Sequence, residues 1–193
     1  MARGRTTIVA AVALSLPVAI GAWFALRRGL PPIDADPMLF ALQCAGAAIL
    51  LALMTMVEAV AHERLYHTSI DPLAGADSSR LEVNRRCLQN TLEQTAIFVP
   101  GLFLLAHYAG DLRAVAATAI VWTLGRWAFW IGYHIGPMWR GLGAFSMFQS
   151  LLVLMYGVGS FGFELAGLAG VAALLGPFLA IEAYLFIALR KPA

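Results

Sequence analysis

An all-α, polytopic bundle of transmembrane helices is the fold class this sequence predicts, and three observations carry the prediction. The chain is 61% hydrophobic and only 12% charged, whereas soluble domains carry about 25% charged residues. Apolar stretches of roughly 20 residues, the length that crosses a hydrocarbon core, recur along it. Between them lie residues that stop helices or belong in water. No repeat or low-complexity linker divides the chain, so residues 1–193 read as a single membrane domain in contact with a lipid bilayer.

Six stretches qualify: 7–26, 38–62, 81–109, 114–135, 142–162 and 165–189. Gly29-Leu30-Pro31-Pro32, with Asp34 and Asp36, ends the first. Arg3 and Arg5 before it resemble the start of a signal peptide. However, the apolar run is long, Arg27-Arg28 stops it, and Ala19-Ile20-Gly21 is a weak cleavage site, so the helix is read as retained. The second stretch gives way to the loop 71–79, which ends in the helix-capping residues Ser78 and Ser79. Gly110-Asp111 makes a tight turn after the third. Gly136-Pro137 ends the fourth, because proline lacks an N–H and clashes one turn back. Gly132 with Gly136, and Gly157, Gly159 and Gly162, are spaced for close helix contact.

Loop charge sets orientation. One side collects Arg3, Arg5, Arg64, Arg80, Arg85, Arg86, Arg140, Arg190 and Lys191; the other collects Arg27, Arg28 and Arg113 beside Asp34, Asp36 and Asp111. Both termini are therefore expected in the cytoplasm, and the even helix number agrees. The strong arginine bias, with Lys191 the lone lysine, points to a bacterial inner membrane.

Several functions are disfavoured. A net charge of +2 with no basic run gives no reason to expect nucleic acid as a partner. Cys44 and Cys87 make no disulfide framework. His62, His67 and His134 lack zinc-site spacing, so no metal is expected. A transporter using Glu58, Glu93 and Arg126 finds no support from an inverted repeat or paired broken helices. The tryptophans Trp122, Trp127, Trp130 and Trp139 suit packing and the interfacial belt.

The charges inside the spans need partners, because an unpaired charge near the bilayer centre costs about 3 kcal/mol or more. Glu58, Glu93, Arg126 and Glu182 are the residues concerned. Glu58 and Arg126 are read as structural ion-pair residues. Arg126, near the middle of its helix, is expected to bridge to Glu93 and Glu58.

The richest stretch is Arg86-Cys87-Leu88-Gln89-Asn90-Thr91-Leu92-Glu93-Gln94. Arg86, Asn90 and Glu93 stand at i, i+4 and i+7, within about 60° of one another on a helix turning 100° per residue. On their own these residues also admit a structural reading. Arg85 and Arg86 would snorkel, Glu82 and Arg86 would pair at i, i+4, and Asn90 would bond a neighbouring helix.

Arg86-x-x-x-Asn90-x-x-Glu93 resembles the MAPEG family, the membrane-associated proteins of eicosanoid and glutathione metabolism. There an Arg-Ala-x-x-Asn-x-x-Glu-like pattern opens the second core helix and an apolar run often containing proline follows, here Ala96-Ile97-Phe98-Val99-Pro100-Gly101-Leu102-Phe103. The turn Gly110-Asp111, the aromatic fourth stretch with Arg126, Phe129 and Tyr133, and Arg140 seven residues after Tyr133 also fit. The resemblance covers 38–162 and implies a four-helix core with an extra helix at each end, 7–26 and 165–189. It further implies a homotrimer with sites between subunits and glutathione as co-substrate. Arg86 would bind a glutathione carboxylate, Asn90 the tripeptide backbone, and Glu93 the α-ammonium group. Arg64 would take a second carboxylate and Tyr133 would contact the ligand from the opposite wall. Arg140 would be catalytic, stabilising the thiolate that attacks a small hydrophobic electrophile. Cys87 stands where alanine is usual, and Phe129 where some relatives carry tyrosine or histidine. The function implied is a membrane glutathione-dependent transferase or peroxidase. The alternative is a non-catalytic scaffold or lipid-binding protein that keeps the fold.

Overall fold

The computed structural model describes residues 2–67, 70, 71, 75, 77–136 and 138–188. Pro137, Leu189, Arg190 and Lys191, and the side chains of Arg3 and Arg5, to which the sequence assigned roles, lie outside what is described. The described chain is all-helical, with several helices long and apolar enough to cross a membrane.

α1 runs Ala2–Gly29. α2 begins at Pro37, pre-set for a first helical turn, behind Asp36, whose Oδ1 accepts the Leu39 N–H at 2.8 Å. It spans Pro37–Ala48, passes through a wider π-type turn at Ile49–Met54, and continues as α3, Thr55–Tyr66. Together these make one apolar span, Pro37–Tyr66. α4, Ser79–Tyr108, starts behind Ser78, whose Oγ accepts the Leu81 N–H at 3.0 Å. Gly110, at φ 62°, makes the turn that a side chain would strain. α5, Leu112–Ile135, follows behind Asp111. A short 3₁₀ segment, Trp139–Gly143, leads into α6, Phe145–Ala188.

α6 is two helices joined at Ala166 and Gly167, the latter at φ 58°. The sequence expects this break at 163–164; it falls three residues later, where glycine permits the left-handed turn. The arms 145–165 and 168–188 fold back on each other. A Cβ on Gly170 would meet the Gly162 carbonyl, and one on Gly159 would lie 3.3 Å from Leu175. The second arm is exposed along nearly its whole length and rests on the first.

The core explains why these helices associate. Ala41, Ala45, Ala48 and Ala52 form a stripe of small, fully packed residues on the second span. That stripe admits the large side chains Phe98 and Leu102 of α4 and Trp122 of α5. Phe98 stacks on Trp122 with centroids 4.3 Å apart, and the Trp122 indole N–H donates to Ser150 Oγ at 2.9 Å, linking α5 to α6. Gly101 and Gly157 let α4 and α6 touch closely.

α4 is the exception among the long helices. Ile8–Gly29, Pro37–Tyr66, Leu112–Ile135 and Trp139–Ala188 meet the length and apolarity of a membrane span. The first half of α4 is too polar to join them, because it carries Arg80, Glu82, Arg85, Arg86, Gln89, Asn90, Glu93 and Gln94. Those residues make the site.

Candidate functional site

α4 is polar on two faces in its first four turns. Asn84, Cys87, Thr91 and Gln94 are buried, whereas Glu82, Arg85, Arg86, Gln89 and Glu93 are exposed. A helix of 3.6 residues per turn separates the two sets. The exposed set, with Asn90 at its edge, lines an open groove of about 510 Å³.

Within the groove the charges pair along the helix. Arg86 Nη2 donates to Glu82 Oε1 at 2.5 Å, and Gln89 Nε2 donates to Glu93 Oε1 at 2.9 Å, each pair at i, i+4. Arg85 Nη1 donates to Asp77 Oδ2 at 2.6 Å. Arg64, from α3, faces the other oxygen of Asp77 at 3.8 Å, an ionic contact too long for a hydrogen bond. Its Nη1 is buried and has no hydrogen-bond partner among the described residues. Exposed pairs of this kind are worth about 0–1 kcal/mol, so a carboxylate entering the groove can take over these guanidinium groups at little expense.

Tyr133 brings α5 to the groove. Arg86 and the Tyr133 phenol interact electrostatically, and the Arg140 guanidinium carbon lies 5.5 Å from the Tyr133 ring centroid. Arg140 reaches this point because Trp139–Gly143 doubles back along α5. Gly132 and Gly143 make that possible: a Cβ on Gly132 would meet the Trp139 carbonyl, and one on Gly143 would meet the Gly125 carbonyl. Ser15 of α1 supports the same segment, its Oγ donating to the Gly141 carbonyl at 3.5 Å. Arg86, Asn90, Glu93, Tyr133 and Arg140 are thus gathered on one side of the bundle. Arg64 stands apart, across Asp77 and Arg85.

Arg126 is fully buried behind the groove. Its Nη2 donates to Asn90 Oδ1 at 2.9 Å and to Thr91 Oγ1 at 2.8 Å; its Nη1 donates to Ser146 Oγ at 3.4 Å. The guanidinium carbon sits 4.5 Å from the Phe129 ring centroid. The expected ion pairing of Arg126 with Glu58 or Glu93 is therefore corrected: its hydrogen-bond partners among the described residues are neutral. Glu58 faces His62 at 3.5 Å with its side chain 61% exposed, and Glu93 faces the open groove. Both carboxylates leave the outward side of their helices, whereas Arg126 points to the seam between α4, α5 and α6. Hydroxyl and amide oxygens, with an aromatic face, take up the charge instead.

Sequence reasoning passed over Asn84, Thr91 and Ser146. Asn84 Oδ1 accepts from the Trp130 indole at 2.8 Å and lies 2.8 Å from His134 Nε2, tying α4 to the end of α5. The available signal was spacing: Asn84, Cys87 and Thr91 follow the same seam as Phe98 and Leu102, so they had to be core polar residues in need of partners.

Chemically, the groove presents two guanidinium groups, two amides and two carboxylates, with the Arg140 guanidinium against the Tyr133 ring. This set suits a zwitterionic ligand bearing carboxylates and an ammonium group. Among the described residues, no group of His, Cys, Asp or Glu gathers as a metal centre would.

A family model described as the MAPEG family matches residues 39–160. The chain is also similar to an uncharacterized protein of the cyanobacterium Synechocystis sp., 36% identical over 86 residues, which are 45% of this chain and 62% of that protein's length. The similarity thus spans under two thirds of that relative. No solved structure matches the chain.

Proposed function

The chain belongs to the MAPEG family, and from that premise we propose that it is an integral membrane glutathione-dependent transferase or peroxidase acting on a hydrophobic electrophile. The observation that carries this reading is the meeting of Arg86 and Arg140 on Tyr133. Two residues from separate parts of the sequence, each with a glutathione-related role in the family resemblance, approach one aromatic side chain.

On this reading glutathione lies along α4. Arg86 exchanges its exposed pairing with Glu82 for a glutathione carboxylate, a fork-to-carboxylate match. Asn90 turns its free N–H donors to the peptide backbone while its Oδ1 stays on Arg126. Glu93 exchanges Gln89 for the α-ammonium group. Arg140, carried on the segment that folds back along α5, supplies positive charge beside the thiol and favours the thiolate. The thiolate sulfur then bonds to the electrophilic carbon as the leaving group departs with its electron pair, or as a strained ring opens to an alkoxide that takes a proton. In a peroxidase reaction the sulfur attacks the terminal peroxide oxygen, the O–O bond breaks to release the alcohol, and a second glutathione reduces the resulting sulfenic acid to the disulfide and water. Arg64 would reach a second carboxylate only from another subunit, as in a homotrimer with sites between protomers. The bilayer beside the groove offers an apolar substrate a lateral route. Both termini are assigned to the cytoplasm and the protein to a bacterial inner membrane.

The second reading is a scaffold that keeps the fold without turnover. The satisfied bonds of Asn90 and Arg126 favour it, since they need no ligand. Glutathione-dependent turnover of a hydrophobic electrophile in proteoliposomes separates the two. Turnover that falls in Arg140→Ala without loss of glutathione affinity supports the enzyme; absence of turnover in folded wild type supports the scaffold.

A further inference from the structure

The first helix builds a feature that the groove does not use. α1 packs against α5, where the Trp23 indole N–H donates to Thr118 Oγ1 at 2.9 Å. Between α1, α5 and α6 lies an apolar cleft of about 320 Å³, lined along its length by Ile20, Phe24, Phe148 and Leu152 among others. That volume falls in the range of pockets that hold small ligands, about 300–1,000 Å³. Phe24 also lines a second pocket of about 290 Å³ whose other walls are Arg27, Arg28 and Arg113. The apolar cleft and a cationic mouth thus adjoin at Phe24.

At that mouth the arginines have ion pairs with one carboxylate among the described residues, Asp111. Arg27 Nε and Arg113 Nε each donate to Asp111, both at 3.0 Å. Arg28 has no ion pair among the described residues. Three guanidinium groups thus face one carboxylate. Arg27 also lies 5.4 Å from the Trp23 ring centroid, so the cationic and apolar walls share a side chain contact.

We propose that this cleft binds an anionic phospholipid of the surrounding bilayer, with its phosphate at Arg27, Arg28 and Arg113 and one acyl chain along Phe24, Ile20 and Leu152. A phosphate suits the guanidinium charge, and an acyl chain suits the apolar cleft beside it. A second copy docking through the same face would bring two cationic mouths together, which opposes that occupant. α1, which supplies Ile20, Phe24, Arg27 and Arg28, lies outside the residues matched by the family model, whereas Arg113, Phe148 and Leu152 lie within them; none of these residues lines the glutathione groove.

The test is lipid titration of the purified full-length chain followed by native mass spectrometry, using phosphatidylglycerol and phosphatidylcholine of equal chain length. One arginine near a lipid phosphate is worth about fivefold in affinity. Wild type should retain phosphatidylglycerol about tenfold better than phosphatidylcholine. Arg28→Gln should lower phosphatidylglycerol retention about fivefold and phosphatidylcholine, whose choline already offsets its phosphate, distinctly less. Leu152→Trp, at a position 64% exposed and so tolerant of size, should fill the cleft and weaken both lipids. Excess glycerol phosphate, an anion without a chain, should displace neither. Equal retention of the two lipids, no effect of Arg28→Gln, or displacement by glycerol phosphate would each overturn the proposal.

Discussion

The guanidinium carbon of Arg140 stands 5.5 Å from the ring centroid of Tyr133. The phenol of the same tyrosine interacts electrostatically with Arg86. One side chain thus supports two arginines by two chemistries, and substitution can separate them. Tyr133→Phe keeps the ring under Arg140 and removes the hydroxyl that interacts with Arg86. A polar contact to a charged group is worth up to about 1.5–3 kcal/mol, so glutathione KM should rise up to about tenfold while kcat changes little. Tyr133→Ala removes the ring as well and should lower both. Steady-state kinetics on the two variants checks the split.

Asn90 and Glu93 lie on one face of α4, yet they should respond differently. Asn90 is bonded to the buried Arg126 guanidinium, whereas Glu93 is exposed and, among the described residues, bonded to Gln89. Asn90→Ala takes an acceptor from a buried charge and should destabilise by about 1.5–3 kcal/mol, lowering both Tm and glutathione binding. Glu93→Gln should leave stability within about 0.5 kcal/mol of wild type and weaken binding alone. Thermal unfolding in detergent beside binding data distinguishes the two effects.

The return of residues 139–143 along α5 depends on Gly132, where a Cβ would run into the Trp139 carbonyl. Backbone cannot yield as a flexible side chain does, so Gly132→Val should destabilise by about 1–3 kcal/mol. It should also move Arg140 away from Tyr133. Turnover is expected to fall further than glutathione affinity, a difference readable from kcat against Kd.

Asp111 holds the turn between α4 and α5. The hydrogen bond from Arg113, aided by Arg27, draws its pKa from 3.8 down to about 2. A carboxylate whose folded pKa is depressed contributes stability above its ordinary pKa and loses it as pH falls through the folded value. Asp111→Asn should therefore be less stable than wild type at neutral pH, and the gap should close as pH falls from about 3.8 to about 2. A Tm series for both proteins across that range tests the sign.

Much of this architecture was legible because membrane spans write themselves in length and apolarity. The turn at Gly110 and the start of α4 after Ser78 follow from local chemistry. The π-type turn at Ile49–Met54 does not, since those residues are apolar like their neighbours and only packing selects the wider turn. The partners of Arg126 were misread for a related reason. Helical spacing says which residues share a face, but it does not say which way that face turns in the bundle. Glu58 and Glu93 had the right charge and the wrong direction, while Thr91 and Ser146 looked incidental. Tyr133 and Arg140 also meet without sharing a helix: α5 stops at Ile135, and the chain reverses to bring them together.

The α4 groove is proposed to bind glutathione through Arg86. Isothermal calorimetry of glutathione with detergent-purified wild type and Arg86→Ala tests it most directly. Binding by wild type that weakens about tenfold or more in the variant, with Tm retained, is the predicted result. A folded wild type that binds no glutathione would contradict it, leaving the family fold in place and the scaffold as its function.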